Sequence, residues 1–233
     1  RDLLGPSTSR AVAAIRDGVD PREAGSTGTT NGAAMRIPPV GVATPWGPDP
    51  RSHLAFLDRV EQVCLPTHHT GPAIAGAAAV GAAVSVGVGG GSVSQALDAA
   101  VTAAEQGQVR GRQVPGPSVP VRIRWALDTV RGLDPEEADA RLADLVGTTV
   151  ATVESVPAAL ALVPAAVADP WSALRRAASL GGDTDTVAAM LGAVTGALLG
   201  RSALPPAADR VEAMHGLDLP GLAAGLLDLR TRS

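Results

Sequence analysis

An all-α fold is what this sequence predicts, and three observations predict it. The apolar content, 45% of 233 residues, is mostly Ala, Val, Leu and Gly, with a single Phe and no Tyr. Ala and Leu favour helix, and small residues let helices approach closely. Helix-start chemistry recurs, as in Asp134-Pro135-Glu136-Glu137, where Pro takes the first helical position and acid fills the first turn. No segment shows the alternation of a half-buried strand. The expected architecture is one helical domain over residues 1–233, long enough to bury a sizeable core.

In chain order, 9–17 reads as a short helix ended by Gly18. Residues 19–49 hold many Gly, Pro and Thr, including "GSTGTTNG" at 25–32, and read as a long loop of the kind that carries function. Helical patterns follow at 50–64, 71–86, 93–106, 119–132 and 135–146. They continue at 153–167, 170–180, 184–200, 206–215 and 219–229. The stretch "QGQVRGRQVPGPSVP" at 106–120 reads as a surface loop. Residues 70–95 carry no charge and could span a bilayer by length. Ala, Gly and Ser dominate them, however, and Gly89–Gly91 interrupts, so a buried core helix is expected and no membrane association.

Charge narrows the function classes. A net charge of −4 and a pI near 5.5 leave no basic footprint for nucleic acid. The single Cys64 excludes an internal disulfide framework and fits a reducing compartment. With no signal-peptide pattern, a cytoplasmic location is expected.

The stretch "SLGGDTDTVAAMLGAVTGALLG" at 179–200 carries the strongest chemical signal. Asp183, Asp185 and Thr186 sit at the head of an uncharged helix, where one capping side chain would suffice. Three oxygens projecting from a Gly-Gly turn suit a hard cation such as Mg²⁺ or Mn²⁺; the plain alternative is a capping Asp followed by a first-turn Asp. Gly192, Gly196 and Gly200 share a face, so a neighbouring helix is expected to pack closely there. The Gly28–Met35 loop, with its Gly and Asn, could form a nest of backbone N–H groups for an anion, or be a plain turn. Of the adjacent His68 and His69, at most one can face a given site. Arg36 reads as support for the loop or as purely structural, Glu154 as a helix-start residue and Cys64 as a core thiol.

Four stretches together resemble the ADP-ribosylglycohydrolase family: "LGGDTDTVAAMLGAVTGALLG", "TTNGAAMRIPPVG" at 29–41, "LPTHHTGPAIAGAAAVGAAVS" at 65–85 and "VESVPAALALV" at 153–163. The resemblance implies an all-helical fold with two divalent ions, Mg²⁺ or Mn²⁺, in a central cleft. It implies a hydrolase of the glycosidic bond between ADP-ribose and a modified protein side chain or a small ADP-ribosyl conjugate. By resemblance Asp183, Asp185 and Thr186 are metal ligands, Asn31, Gly32 and Ala33 approach the pyrophosphate, and His68 hydrogen-bonds near the distal ribose. Many members place an aromatic residue in the loop to stack adenine; here Thr29 and Thr30 precede Asn31, which leaves Trp46 as the alternative. The family's N-terminal glutamate and Thr-Asp-Asp cluster have no counterpart, so the general base and remaining ligands are expected outside this chain, in a companion segment or chain. The alternatives are a glycohydrolase for another ribosyl conjugate and a non-catalytic binding subunit.

Overall fold

In the computed structural model, which describes residues 4–232, the chain winds around a single apolar helix. Two short helices, α1 (Pro6–Arg16) and α2 (Pro21–Ala24), lead through a 3₁₀ turn to α3 (Gly32–Arg36) and α4 (Pro38–Ala43). Three long ones follow: α5 (Pro50–Cys64), α6 (Gly71–Val88) and α7 (Val93–Gln108). Then come α8 (Val119–Val130), α9 (Pro135–Arg141), α10 (Thr152–Ala161), α11 (Val163–Ala168) and α12 (Pro170–Ala177). The site-bearing α13 (Thr184–Leu199) precedes α14 (Ala207–His215) and α15 (Leu219–Arg232). Among the described residues no strand forms; two isolated bridges, Thr30 with Ala151 and Thr70 with Arg112, are the extended pairings. The all-α expectation holds.

Helix α6 is the hub. It touches α3, α4, α5, α7, α8, α10 and α13, and nearly every residue from Gly71 to Ser85 is buried. Its composition would let it cross a membrane, yet 83% of that window is buried inside the protein, as expected of a core helix. Small residues make the crowding feasible: a Cβ on Gly87 would sit 2.9 Å from the backbone of Ala197 and Leu198 in α13. The close approach of α6 and α13 therefore comes from Gly87. It does not come from the Gly192–Gly196–Gly200 stripe, where a Cβ would meet Leu174 at 3.4 Å and nothing within 4 Å at the other two.

Prolines set boundaries that periodicity alone merges. The helix expected over 153–167 divides into α10 and α11, because Pro164 begins a new helix. Pro157 lies inside α10 and lacks the N–H that would serve the Val153 carbonyl four residues back. Arg122 fills the gap: its Nε donates to Val153 O at 3.2 Å, and its Nη2 to Val146 O. The helix expected over 135–146 ends as a π-type turn, Leu142–Val146, before Gly147. The loop expected over 19–49 contains α2, α3 and α4, short helices whose Gly and Pro content hides them from a propensity reading.

Helices α14 and α15 bury no residue of their own. Arg230 ties α15 down. Its Nη1 lies 3.1–3.3 Å from Gly41 O, Val42 O, Thr44 O and Ser85 Oγ, and Nη2 donates to Ser85 O at 3.0 Å. The guanidinium thus adds a donor to carbonyls at the ends of α4 and α6, two of which, Ser85 O and Thr44 O, also accept from Gly89 N–H and Ser85 Oγ.

In the core of α13, the Thr195 hydroxyl is buried without a hydrogen-bond partner. A buried unpaired hydroxyl is destabilising, and Val has the same shape. Thr195→Val is expected to raise stability by about 1 kcal/mol, read as a higher urea midpoint at unchanged m-value.

Candidate functional site

Two of the quoted motifs, the 29–41 loop and the head of α13, meet in one cleft of about 340 Å³, walled by residues of the α1 start, the Thr30–Arg36 segment, Val150 and the start of α13. Four other clefts are larger, at about 540, 770, 480 and 370 Å³; Trp46 lines the third, and none is lined by Asn31, Gly32, Asp183, Asp185 or Thr186. Chemistry, not volume, marks the site.

Asn31 joins its parts. The side-chain amide donates to Ser155 Oγ at 2.9 Å and to Asp183 Oδ2 at 2.6 Å, while its backbone N–H donates to Val150 O at 2.9 Å. One residue thereby fixes α10, the preceding turn and the head of α13. The loop is pinned on both flanks. Thr152 Oγ1 donates to Thr29 O at 2.9 Å on one side, and Thr70 Oγ1 donates to Gly28 O at 2.6 Å on the other.

Asp183 occupies the N-cap position of α13, but its side chain caps nothing. Its carboxylate turns to Asn31, and its backbone N–H donates to Thr148 O at 2.7 Å. Asp185 is exposed in the first turn of the helix. Thr186 is buried to 6% exposure, and its hydroxyl meets the Met35 sulfur at 3.9 Å, a weak acceptor. The surplus acidity is therefore not explained by capping. The donor set consists of hard oxygens, as a Mg²⁺ or Mn²⁺ shell requires. It fits one face of such a shell and no more: among the described residues no three His, Cys, Asp or Glu side chains gather as a metal-holding group.

The nest expected in the loop takes another form. Gly28 and Asn31 have φ of −79° and −73°, and Gly32 opens α3. What Gly32 supplies is close approach, since a Cβ there would lie 3.0 Å from Cε1 and Nε2 of His68. Ala33 is fully buried and can offer only its backbone.

His68 does not line the cleft. Its ring is 0% exposed, with Nδ1 2.7 Å from Thr67 Oγ1 and Nε2 2.9 Å from Thr30 Oγ1. Both nitrogens are engaged by the protein, and His68 reaches the cleft wall through Thr30. Burial, then the charges of Arg36 and Arg10, push its pKa down to about 4. His69 points away, paired with Glu61 at 2.8 Å. Arg36 supports the loop as expected, donating to Thr67 Oγ1 at 2.7 Å and Val63 O at 3.1 Å. Glu154, in the first turn of α10, accepts from the backbone N–H of Thr149 at 3.2 Å and closes that turn. Cys64 is a core thiol, its pKa pushed up to about 12 by burial.

Trp46 lies elsewhere. It stacks on His53 at 3.8 Å between ring centroids and meets Phe56 edge-on. The described residues lining the cleft include no aromatic side chain. Ser155, Ser7, Thr67 and Arg122 escaped the sequence reading. Ser155 and Thr67 lay within quoted motifs, whereas Ser7 and Arg122 carry no local signal.

Two outcomes follow from this geometry. Gly182 has φ +72°, and a Cβ there would meet Thr148 O at 2.5 Å, so Gly182→Ala should cost about 2 kcal/mol or more in chemical denaturation. His68 stays neutral when folded down to about pH 4, whereas an unfolded histidine titrates near 6.5. Between those values the unfolded chain binds the extra proton, so stability falls as pH falls, by roughly 3 kcal/mol across the window. His68→Gln should flatten that slope in urea titrations.

The family model described as ADP-ribosylglycohydrolase matches residues 1–233. The uncharacterized protein YegU of Escherichia coli is 38% identical over 232 residues, covering 99% of this chain and 68% of the relative. An uncharacterized protein of Archaeoglobus fulgidus is 29% identical over 195 residues, 83% of this chain and 57% of the relative. With the DTDT helix head, the Asn-Gly loop and the VESVP helix assembled around one cleft, the chain belongs to the ADP-ribosylglycohydrolase family.

Proposed function

We propose that this cleft takes part in hydrolysing the glycosidic bond between ADP-ribose and a modified protein side chain or small ADP-ribosyl conjugate, with divalent metal. The observation that carries the reading is the Asp183 carboxylate, which leaves its capping position uncapped and is held by Asn31 towards the cleft beside Asp185 and Thr186. In this reading Asp183, Asp185 and Thr186 hold one Mg²⁺ or Mn²⁺. When bound, the metal supplies a positive centre for ribose hydroxyls and water and offsets charge as the bond breaks. Asn31 keeps one Asp183 oxygen oriented and leaves the other free. Asn31, Gly32 and Ala33 receive the pyrophosphate at the start of α3 through backbone N–H groups. The purine has no ring to stack on and would meet Leu4, Met35 and Val150, half-exposed apolar side chains at the cleft.

Two carboxylates and a hydroxyl are too few for two dications, since a hard cation takes about six oxygen ligands. Among the described residues of the cleft no further acid stands to act as general base. We infer that the base, the second ion's ligands and full activity depend on acidic residues from outside this chain. The same shortfall favours a second reading, a subunit that binds ADP-ribose without cleaving it. We place either activity in the cytoplasm.

The test is direct. Mn²⁺ should broaden the amide resonances of Asp183 to Thr186, and Asp183→Asn with Asp185→Asn should abolish this while helical circular dichroism survives. Equal broadening in the double variant would reduce the carboxylates to caps. Release of ADP-ribose from an ADP-ribosyl-arginine peptide should be negligible for this chain alone and rise when an acidic companion segment is added. Efficient turnover by the chain alone would overturn the inferred shortfall.

A further inference from the structure

Behind the cleft wall, five polar groups form one continuous hydrogen-bonded line. Arg36 Nη2 donates to Thr67 Oγ1 at 2.7 Å, and Thr67 Oγ1 lies 2.7 Å from His68 Nδ1. His68 Nε2 lies 2.9 Å from Thr30 Oγ1, which lies 3.0 Å from Ser7 Oγ. Ser7, Thr67 and His68 are all buried, at 3%, 7% and 0% exposure.

The direction of this line follows from what each group can do. A guanidinium only donates, so Thr67 accepts from Arg36. The single Thr67 proton then has one acceptor within reach, the Nδ1 lone pair of His68. If Nδ1 carried a proton instead, the Thr67 oxygen would accept from two donors and its own proton would be stranded in a buried site, at the cost of a lost hydrogen bond. The Arg36 charge also polarises the Thr67 hydroxyl and makes it the better donor. With Nδ1 as acceptor, the neutral ring carries its proton on Nε2 and donates to Thr30. The Thr30 proton is released towards Ser7, and this docks α1 on the loop. Thr30 faces the cleft and precedes Asn31, so the chain of donors ends in the wall that holds Asp183.

We propose that the Arg36 charge, relayed through the Thr67 hydroxyl, locks His68 as the Nε2–H tautomer, and that Arg36 and Thr67 are thereby positioning residues for the Thr30–Asn31 wall. The tautomer stands on geometry alone; its consequence for ligand rests on the reading of the cleft given above.

Ring ¹⁵N resonances of His68, assigned by its loss in His68→Gln, test this near neutral pH without ligand. In the unaltered chain Nε2 is expected in the protonated range and Nδ1 in the unprotonated range. Arg36→Met and Thr67→Val should populate both tautomers, while Arg36→Lys and Thr67→Ser retain the single one. Affinity for ADP-ribose should fall about fivefold or more in Thr67→Val and stay within about twofold in Thr67→Ser. A Nδ1–H tautomer in the unaltered chain overturns the proposal, as does a spectrum unchanged in both Arg36→Met and Thr67→Val. If those two variants fail to fold, the spectrum of the unaltered chain and of Arg36→Lys still decides. Absence of ADP-ribose binding altogether, with the Nε2–H tautomer present, counts against the cleft reading and leaves the tautomer proposal standing.

Discussion

The fold depends on one constraint: α6 has no polar face and must be covered on every side. A helix buried all round can be satisfied only by neighbours that come very close, and that demands small side chains. Gly87 meets the α13 backbone directly, and the alanines from Ala73 to Ala83 are wholly buried. Seven helices reach α6 as a result. Large aromatic side chains would hold them apart, which accounts for a sequence with so few.

That packing also delivers the site. The start of α6, the loop before α3, the start of α10 and the head of α13 come together, and the polar groups left there bond to one another across long chain separations. Asn31 lies 124 residues from Ser155 and 152 from Asp183. Its amide has two protons and uses both. The Asp183 carboxylate therefore has a fixed orientation before any ligand arrives, the kind of preorganisation that electrostatic catalysis requires. The hydrogen-bonded line behind the wall adds a second layer, and its half-buried arginine is held by Val63 O as well as Thr67.

Much of this was legible in the sequence, and the reasons differ by element. The helix class, the long helices and the buried character of α6 follow from composition and period, which are local properties. The surplus oxygens of Asp183, Asp185 and Thr186 stand out because a cap needs fewer. Illegible were the features decided by tertiary partners. His68 looked like a substrate contact, but only the positions of Thr30 and Thr67 show it to be enclosed. The glycine stripe of α13 looked like a packing face, whereas the close contact is made by a single glycine on the opposing helix. Trp46 was a candidate base-stacker by elimination, yet its ring already lies on His53. The splitting of α10 from α11 was written in Pro164, while the compensating role of Arg122 at Val153 depends on a neighbour no local window contains.

The anchorage of α15 bears on the order in which the chain assembles and comes apart. Arg230 reaches carbonyls 145 to 189 residues earlier in the chain, so its bonds close the longest loops described above. Contacts of such sequence separation are rewarded only after the intervening chain is already in place. The acceptors themselves exist as a group only once α4 has docked on α6. Helix α15 is therefore the late piece in folding. With no buried residue and one half-buried guanidinium to hold it, α15 belongs to the low-stability end of the structure. Its release would expose the ends of α4 and α6 without disturbing Asn31 or Asp183.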